Sequence, residues 1–456
     1  MKKLILVVSL FSFPASLGAQ QAQTGINGLK FLAPVQIEIG RDNNFLVDRT
    51  SANEKLFVLS LPPSIQPGAP DIRPQKLDDT VLSVGIPKMA FVNDSRRHEF
   101  LVTWHPEFEV FKSNSDQNAF NQEAVASFNY YVTRNVQVWF GDKYQTSRDP
   151  ARTMYNVFVL LPRGDYRENS FVGSVEFQPT RLTNISFQYD TAWTKFGGQL
   201  DPFQTQLLNS WSSGYAVGVS RLLGRNQRIS ARYSLYTVRQ INNAQKFDDV
   251  VDTHTPFEDP INSLTVQYRV RPNPSTALGF SGGSIKSSKG MDYTFSGSLH
   301  RRFGNLWAGG TYTRGLAIQA RTETGFLQGL DNAGFYDLIL FRLRGQTSQN
   351  TAIMADTTIS RASTSGLVDS RRALMGRLRF DYRVSERKVL FASWESFNQS
   401  HNVYVQSPLS RNRLMMGIEI SLASDSDRRS SHLNEDERYV ALTDHGIRRR
   451  SLEDDN

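Results

Sequence analysis

Apolar and polar residues alternate one by one through most of the chain between residues 34 and 423. The pattern is clearest in Asn184–Thr194, and it recurs in Leu264–Arg271, Gly376–Val384 and Arg413–Leu422. Successive side chains of a β-strand point to opposite faces of a sheet, whereas an amphipathic helix repeats every three to four residues. The alternation therefore predicts strands with one apolar and one polar face.

The lengths of these segments and of their connections distinguish a membrane-spanning barrel from a globular β-fold. The segments run for roughly ten to fourteen residues, which suits a tilted bilayer-crossing strand of about 9–11 residues better than a globular strand of about 5–6. Short connections such as Thr133–Asn135 and Gly224–Gln227 alternate with longer ones such as Ile241–Asp259. Short turns at one rim and long loops at the other are typical of outer-membrane barrels. The sequence predicts an all-β fold, a transmembrane antiparallel β-barrel.

The strand count should be even, because both chain ends of such a barrel lie on the periplasmic side. The segments give about sixteen strands, within a range of about 14–18, when Pro34–Gly40 supplies the first one. Phe335–Gly345 is either a further strand or part of a folded loop.

The first residues have the order of an export signal. Met1–Lys3 is a basic start, Leu4–Phe13 is an apolar core, and small residues lead to Ala19. This order predicts a signal peptide over residues 1–19 and export to the outer membrane. We expect the barrel over residues 20–423, with long loops at 45–78, 147–168 and 319–370, and a polar, disordered periplasmic tail at 424–456.

Composition excludes several classes of function. The chain has no Cys, so disulfides and thiolate metal sites are unavailable. Its formal charge of +8 is a mild excess over 456 residues, and no run of basic residues with stacking aromatics indicates nucleic-acid binding. Aromatic residues make up 11% of a chain with a mean hydropathy of −0.41, which suits strands with one apolar face.

No catalytic constellation is visible. The seven His residues show no metal-ligand spacing, and neither a zinc-protease motif nor a nucleophile-elbow motif occurs. We therefore expect no enzyme activity, no metal and no cofactor.

Charged residues concentrate on the polar faces of the predicted strands. An arginine that faced lipid at the middle of the bilayer would cost about 2–4 kcal/mol, so these side chains should line the lumen. The twelve candidates are Arg232, Arg269, Arg271, Arg302, Arg377, Arg379, Arg383, Arg413, Glu107, Glu109, Asp190 and Asp381. They either pair across the lumen and stiffen it, or they give the pore a preference for anions.

The segment Gln319–Ser370 is the largest predicted insertion. Because Phe335–Leu343 is more apolar than a free loop, the insertion either folds into the lumen as a constriction or stands above the rim as an extracellular hairpin.

The N-terminal region resembles a known group of proteins. Residues 34–45, PVQIEIGRDNNF, are followed by the acidic pair Asp78 and Asp79 and by a strand over Thr80–Phe91. This order resembles the opening of outer-membrane β-barrel porins that accompany exopolysaccharide export. The chain departs from the usual barrel ending, since its last strand has no terminal aromatic residue and a tail follows. The resemblance implies a wide barrel that passes saccharides or other solutes.

These observations leave three functions open. The first is a porin-like barrel that passes small or saccharide solutes with some preference for anions. The second is a plugged barrel that acts as an export-complex partner or surface scaffold. The third is a secreted, soluble carbohydrate-binding β-protein. The expected partners are outer-membrane lipid, lipopolysaccharide, the barrel-assembly machinery and, in the export case, exopolysaccharide, without nucleic acid.

Overall fold

Within the part of the chain that the structure describes, twenty β-strand segments make up almost all of the regular structure. The computed structural model describes residues 30–32, 34–43, 78–86, 89–95, 97–149, 165–197, 209–241, 258–287, 290–317, 334–363, 371–399 and 409–421. Apart from a 3₁₀ turn at Ser115–Gln117, the elements in these ranges are β1 (Lys30–Leu32), β2 (Val35–Asn43), β3 (Asp79–Gly85), β4 (Met89–Asp94), β5 (His98–Phe111), β6 (Ala119–Tyr131), β7 (Val136–Ser147), β8 (Asp165–Thr180), β9 (Thr183–Gly197), β10 (Asn209–Gly224), β11 (Gln227–Ile241), β12 (Glu258–Asn273), β13 (Thr276–Ser287), β14 (Gly290–Phe303), β15 (Leu306–Ala317), β16 (Gly334–Gln346), β17 (Thr351–Ser363), β18 (Arg371–Ser385), β19 (Lys388–Gln399) and β20 (Leu409–Ile420).

The strands form one closed antiparallel barrel. From β5 to β20 each strand pairs with the next one in the chain, β20 pairs with β2, and β3 joins β2 to β5. Eighteen strands therefore form the ring, while β1 and β4 pair with each other and continue β2 and β3 toward one end. The predicted all-β barrel is confirmed, and its eighteen strands lie at the upper limit of the predicted range.

The predicted insertion at 319–370 needs correction at its centre. Gly334–Gln346 and Thr351–Ser363 are neighbouring strands of the barrel wall, in register from Phe335 opposite Ser363 to Gln346 opposite Ala352. The hairpin is neither a constriction nor an extracellular projection, because its backbone pairs with β15 on one side and β18 on the other. These two strands explain why the ring has eighteen strands rather than sixteen.

Pro106 lies inside β5, where it removes one donor of the hydrogen-bond ladder. Here the register of the neighbouring strand slips by one residue, since Gly85 lies opposite Glu107 whereas Met89 lies opposite Trp104. The Ile86 amide donates to the Pro106 carbonyl at 2.9 Å. Pro106 is therefore accommodated at a bulge, while Pro87 lies outside the described residues.

The two ends of the barrel differ in their connections. At one end, called the short-turn end below, turns of two to four residues join β6–β7, β8–β9, β10–β11, β12–β13, β14–β15, β16–β17 and β18–β19. At the other, called the long-connection end, up to 35 residues separate consecutive strands, as between Asn43 and Asp79. The predicted loop at 45–78, apart from Asp78, and the predicted signal peptide and tail lie outside the described residues.

The outer face of the barrel is apolar. Among the described residues, forty large hydrophobic side chains are exposed and only eleven hydrophobic residues are buried. A water-soluble protein would bury its large apolar side chains, so this distribution is what a lipid-facing surface requires. Within the described part of the chain, no α-helix is both long and apolar enough to cross a bilayer.

Exchanging neighbouring residues of β13 for arginine tests the assignment of faces. Phe280 projects outward at 48% exposure near the middle of β13, and Ser281 projects inward, where its hydroxyl bonds that of Ser296 at 2.6 Å. We expect Phe280→Arg to lower the free energy of unfolding in liposomes by about 2–4 kcal/mol, because an arginine then faces lipid. Ser281→Arg should cost only about 1 kcal/mol. Urea unfolding, followed by heat-modifiable migration, measures both, and equal losses would contradict the assignment.

Candidate functional site

Contacts between distant strands identify the inner face. The Arg411 guanidinium on β20 bonds Asp149, which follows β7, with its nitrogens 3.0 and 2.6 Å from the carboxylate oxygens. Four strands of the ring lie between β20 and β7. Only side chains on the concave side of a closed sheet can meet over such a separation. The face that carries Arg411 is therefore the inside of the barrel.

All twelve side chains that were predicted to line the lumen project from this inner face. The strand registers carry the assignment around the ring, since directly paired residues share a face. Arg271 and Arg302 lie beside the short turns and are exposed, while Glu109 and Arg413 are buried and bonded to each other at 2.8 Å. Arg379 bonds both Asp381, at 2.7 Å, and Glu419, at 3.2 Å.

The inner charges are divided between two walls of the barrel. In the strand residues whose side chains the structure describes, the basic wall, β11 to β18, carries ten arginines and three carboxylates: Arg228, Arg232, Arg269, Arg271, Arg302, Arg342, Arg344, Arg377, Arg379 and Arg383, with Asp292, Asp356 and Asp381. The acidic wall, β19 and β20 with β2 to β9, carries twelve carboxylates and three cations: Glu38, Asp42, Asp79, Glu99, Glu107, Glu109, Glu123, Glu168, Glu176, Asp190, Glu395 and Glu419, with Lys143, Arg411 and Arg413. Opposed walls of this kind create a field across the lumen.

A row of alternating charges links the two walls. Its six members are direct cross-strand neighbours on six consecutive strands, in the order Arg342, Asp356, Arg377, Glu395, Arg413 and Asp42. Within this charge row the Arg377–Glu395 ion pair measures 2.9 Å and the Arg413–Asp42 pair 3.6 Å. Opposite charges that face each other across strands contribute about 0.2–1 kcal/mol for each pair. The row therefore stabilises the boundary between the two walls at β18 and β19.

The charge row stops at a gap on β15. Gly309 lies opposite both Arg342 and His300. A Cβ at Gly309 would come within 2.4 Å of the His300 Nδ1 atom and 3.0 Å of the Trp307 ring. The missing side chain therefore gives His300 room to stack on Trp307, with ring centroids 5.1 Å apart. On the β15 side, Arg342 is therefore flanked by the His300 and Trp307 rings, where continued alternation of charge would place a carboxylate.

The acidic wall is packed, whereas the basic wall is open. Six of the twelve carboxylates of the acidic wall are buried, among them Asp42 at 0% and Glu109 at 1% exposure. Arg411 and Arg413 of the same wall are also buried. None of the ten arginines of the basic wall is buried; among those in ion pairs, side-chain exposure ranges from 17% at Arg377 to 38% at Arg342. The charge accessible from the lumen is therefore more basic than a count of residues indicates.

Hydroxyl groups cover much of the remaining inner face. Two pairs bond directly across strands, Ser234 with Ser263 at 2.5 Å and Ser281 with Ser296 at 2.6 Å. Further inward-facing hydroxyls on β9 to β17 belong to Ser186, Ser220, Ser230, Thr265, Thr294, Ser298, Thr311, Thr313, Thr358 and Ser360. This sector offers hydrogen-bond donors and acceptors without adding charge.

The acidic pair Asp78 and Asp79 divides between two roles at the long-connection end. Asp78 forms an exposed ion pair with Arg41 at 2.9 Å. The Asp79 carboxylate accepts hydrogen bonds from the amides of Thr80, Ser113 and Asn114. It ties the connection after β5 to the start of β3. Within the described residues, no three His, Cys, Asp or Glu side chains are arranged to hold a metal ion.

Sequence reasoning missed several members of the two walls. Arg342, Arg344 and Asp356 lie on the hairpin that was interpreted as part of an insertion, although the alternation in Phe335–Gly345 was a usable signal. Arg411 was missed because it stands at the beginning of β20, beside a long connection. Its partner Asp149 follows β7, outside any alternating segment, and no local pattern could indicate it.

The comparisons with known proteins give no family for this chain. No protein-family profile matches it, and no curated protein matches it. Solved structures with a similar course of the chain include OpdH of Pseudomonas aeruginosa, at a TM-score of 0.42 and 11% identity over 86% of this chain and 98% of that one. OpdQ of the same organism has a TM-score of 0.40 at 10% identity, over 86% and 98%. The siderophore receptor PirA of Acinetobacter baumannii has 0.42 at 8%, over 85% and 80%. Functional conclusions therefore rest on the geometry of this chain.

Removing Arg411, which joins β20 to Asp149 beyond the end of β7, should destabilise the barrel strongly. Arg411→Met removes the guanidinium that bonds Asp149 and leaves Asp42 with the longer pair to Arg413 at 3.6 Å, although the two carboxylates are only 1% and 0% exposed. Breaking a buried pair in this way costs about 3–5 kcal/mol.

Arg148→Met is the matched control, since its pair with Asp165 at 3.1 Å has side chains 39% and 48% exposed. Exposed pairs are worth about 0–1 kcal/mol. Urea unfolding followed by tryptophan fluorescence compares the two variants. A loss for Arg411→Met as small as that for Arg148→Met would show that the buried pairs do not hold the wall together.

Proposed function

We propose that this chain is an outer-membrane channel of the porin type, through which small polar solutes cross between a basic and an acidic wall. One observation carries the proposal: a closed barrel combines an apolar outer face with an inner face that carries thirteen cations and fifteen carboxylates on its described strand residues. A surface of this polarity needs water or polar solute against it, because unsolvated charges are expensive to bury. A water-filled lumen inside a lipid-facing barrel satisfies both faces.

The channel favours anions. The arginines of the basic wall keep access to the lumen, while half of the carboxylates on the acidic wall are buried, several of them in ion pairs with Arg411 and Arg413. Charges in a buried ion pair act mainly on each other, whereas accessible charges act on the solute. The field in the lumen therefore attracts the negative group of a solute toward β11–β18.

Saccharides are among the solutes that suit this lumen. The hydroxyl sector on β9 to β17 can exchange hydrogen bonds with a polyhydroxylated solute, and the basic wall can hold a carboxylate on the same molecule. A carboxylated sugar matches both features. The resemblance of the N-terminal segment to porins of exopolysaccharide export is in keeping with such a solute.

A barrel that serves an export complex as partner or scaffold is the second candidate. It is favoured by the packing of the acidic wall, whose inner side chains Asp42, Glu109 and Asp149 are almost fully buried. A bare lumen of eighteen strands would leave such groups in water. A secreted soluble protein is not proposed, because its surface would carry forty exposed large hydrophobic side chains.

Conductance in planar bilayers tests the channel. The purified, folded protein should give discrete conductance steps, and its reversal potential in a KCl gradient should have the sign of chloride preference. Replacing Arg269, Arg342 and Arg344 together by Gln should shift the permeability ratio several-fold toward potassium, since the accessible cations are removed.

Arg221→Gln is the control, because Arg221 projects from the outer face near the short-turn end. It should leave the reversal potential unchanged. Absence of conductance in several salts would overturn the channel and favour the export scaffold. A channel whose selectivity is the same in the triple variant would retain the function but contradict the role of the basic wall.

A further inference from the structure

The outer face of the barrel carries two pairs of basic residues, and within each pair the two residues are direct cross-strand neighbours. Arg361 on β17 lies directly opposite Arg372 on β18, and Arg167 on β8 lies directly opposite Lys195 on β9. All four side chains are exposed. Like charges directly across strands are unfavourable by themselves, and an outward position next to lipid is expensive for an arginine. Both costs fall if the pairs meet an anion there.

Both pairs lie near the long-connection ends of their strands, β17 with β18 and β8 with β9. The outer face of β18 is apolar from Tyr382 to Leu374 and then reaches Arg372, ten residues from Tyr382. The outer face of β8 is apolar from Phe177 back to Phe171, passes Asn169, and reaches Arg167 ten residues before Phe177. At about 3.3 Å per residue and a tilt of about 35–45°, ten residues rise about 25 Å, the height of the apolar band of an outer-membrane barrel. The pairs therefore stand where the hydrocarbon ends, on the side of the long connections.

The immediate surroundings suit a phosphate group. Beside Arg361, the Asp337 carboxylate is engaged by Arg314 at 3.5 Å and by the Tyr312 hydroxyl at 2.8 Å. The row across β15 to β18 has three arginines and one carboxylate, and the Asp292 carboxylate lies 3.9 Å from Arg314. At the other pair, Asp165 lies two residues from Arg167 on the same face and is paired with Arg148 at 3.1 Å. On β9 the Lys195 ammonium lies 5.5 Å from the ring centre of Trp193. Arginines bind phosphate oxygens in bidentate fashion, and an aromatic residue beside a cation is typical of a membrane interface.

We propose that these two pairs, on opposite sides of the barrel, bind the phosphate groups of lipopolysaccharide in the leaflet at the long-connection end. The proposal rests on the outer-membrane location of the proposed channel, but not on conduction. A phosphorylated glycolipid is favoured over an ordinary phospholipid because two cations stand side by side at each site, which matches closely spaced phosphates or one doubly charged phosphate.

Thermal unfolding in detergent with added lipid A tests the sites. Bisphosphorylated lipid A should raise the unfolding temperature of the full-length protein, and dephosphorylated lipid A should not. The double variant Arg361→Gln, Arg372→Gln should weaken the apparent affinity at its site about thirtyfold, since each interfacial cation contributes about fivefold. Arg167→Gln with Lys195→Gln should do the same at the second site.

Arg221→Gln with Arg301→Gln is the matched control. These two outward arginines are exposed at the short-turn end and should not change lipid A binding. Equal affinity of wild type and long-end variants would overturn the proposal, and so would an equal loss in the control variant or equal stabilisation by phosphatidylglycerol or inorganic phosphate. Conductance measured on the same variants separates lipid binding from channel function. A variant that has lost lipid A binding but still conducts shows that the two properties are independent.

Discussion

The pairing of β2 with β20 closes the sheet, and the rest of the structure depends on this closure. An open sheet in a bilayer would leave the N–H and C=O groups of two edge strands without partners, at several kcal/mol for each group. Here the first and last strands of the ring share nine paired positions, from Val35 opposite Ile420 to Asn43 opposite Asn412. Arg411 and Arg413 reinforce the seam from inside, since they join β20 to carboxylates of β2 and β5 and to Asp149. Backbone hydrogen bonds and side-chain ion pairs therefore both hold β2 against β20.

Closure also explains how one chain can hold so many charges in a membrane. The period of two sends every second side chain inward, so charge can accumulate on one face without any contact with lipid. Sorting within that face is a second level of organisation. Buried pairs stabilise the acidic wall, whereas the arginines of the basic wall, such as Arg342 and Arg344, stay accessible. One region supplies rigidity, and the other keeps accessible the charges on which the proposed channel depends.

The alternation predicted the fold class well because it reports directly on burial by lipid, which each strand experiences separately. It predicted the inward direction of Arg377 and Arg379 for the same reason. It failed for β16 and β17, where length and apolarity resembled a folded insertion and only pairing with β15 and β18 decides the outcome. Contacts such as Arg411 with Asp149, 262 residues apart, depend on how far the ring curves before the strands meet. That distance is a property of the whole barrel and has no local signature.

The connection between β13 and β14 is only two residues long, since Ser287 ends one strand and Gly290, with a φ of 127°, begins the next. Every other connection at that end of the described strands is longer. The shortest connection at this end therefore lies between β13 and β14, two strands in the middle of the basic wall. The inward side chains near this connection include those of Ile285, Asp292 and Thr294, whereas Arg269, Arg271 and Arg302 lie toward the short turns. The arginines of this part of the basic wall therefore lie at the opposite end of the barrel, and a solute that enters beside the short connection meets a carboxylate and hydroxyl groups before it meets them.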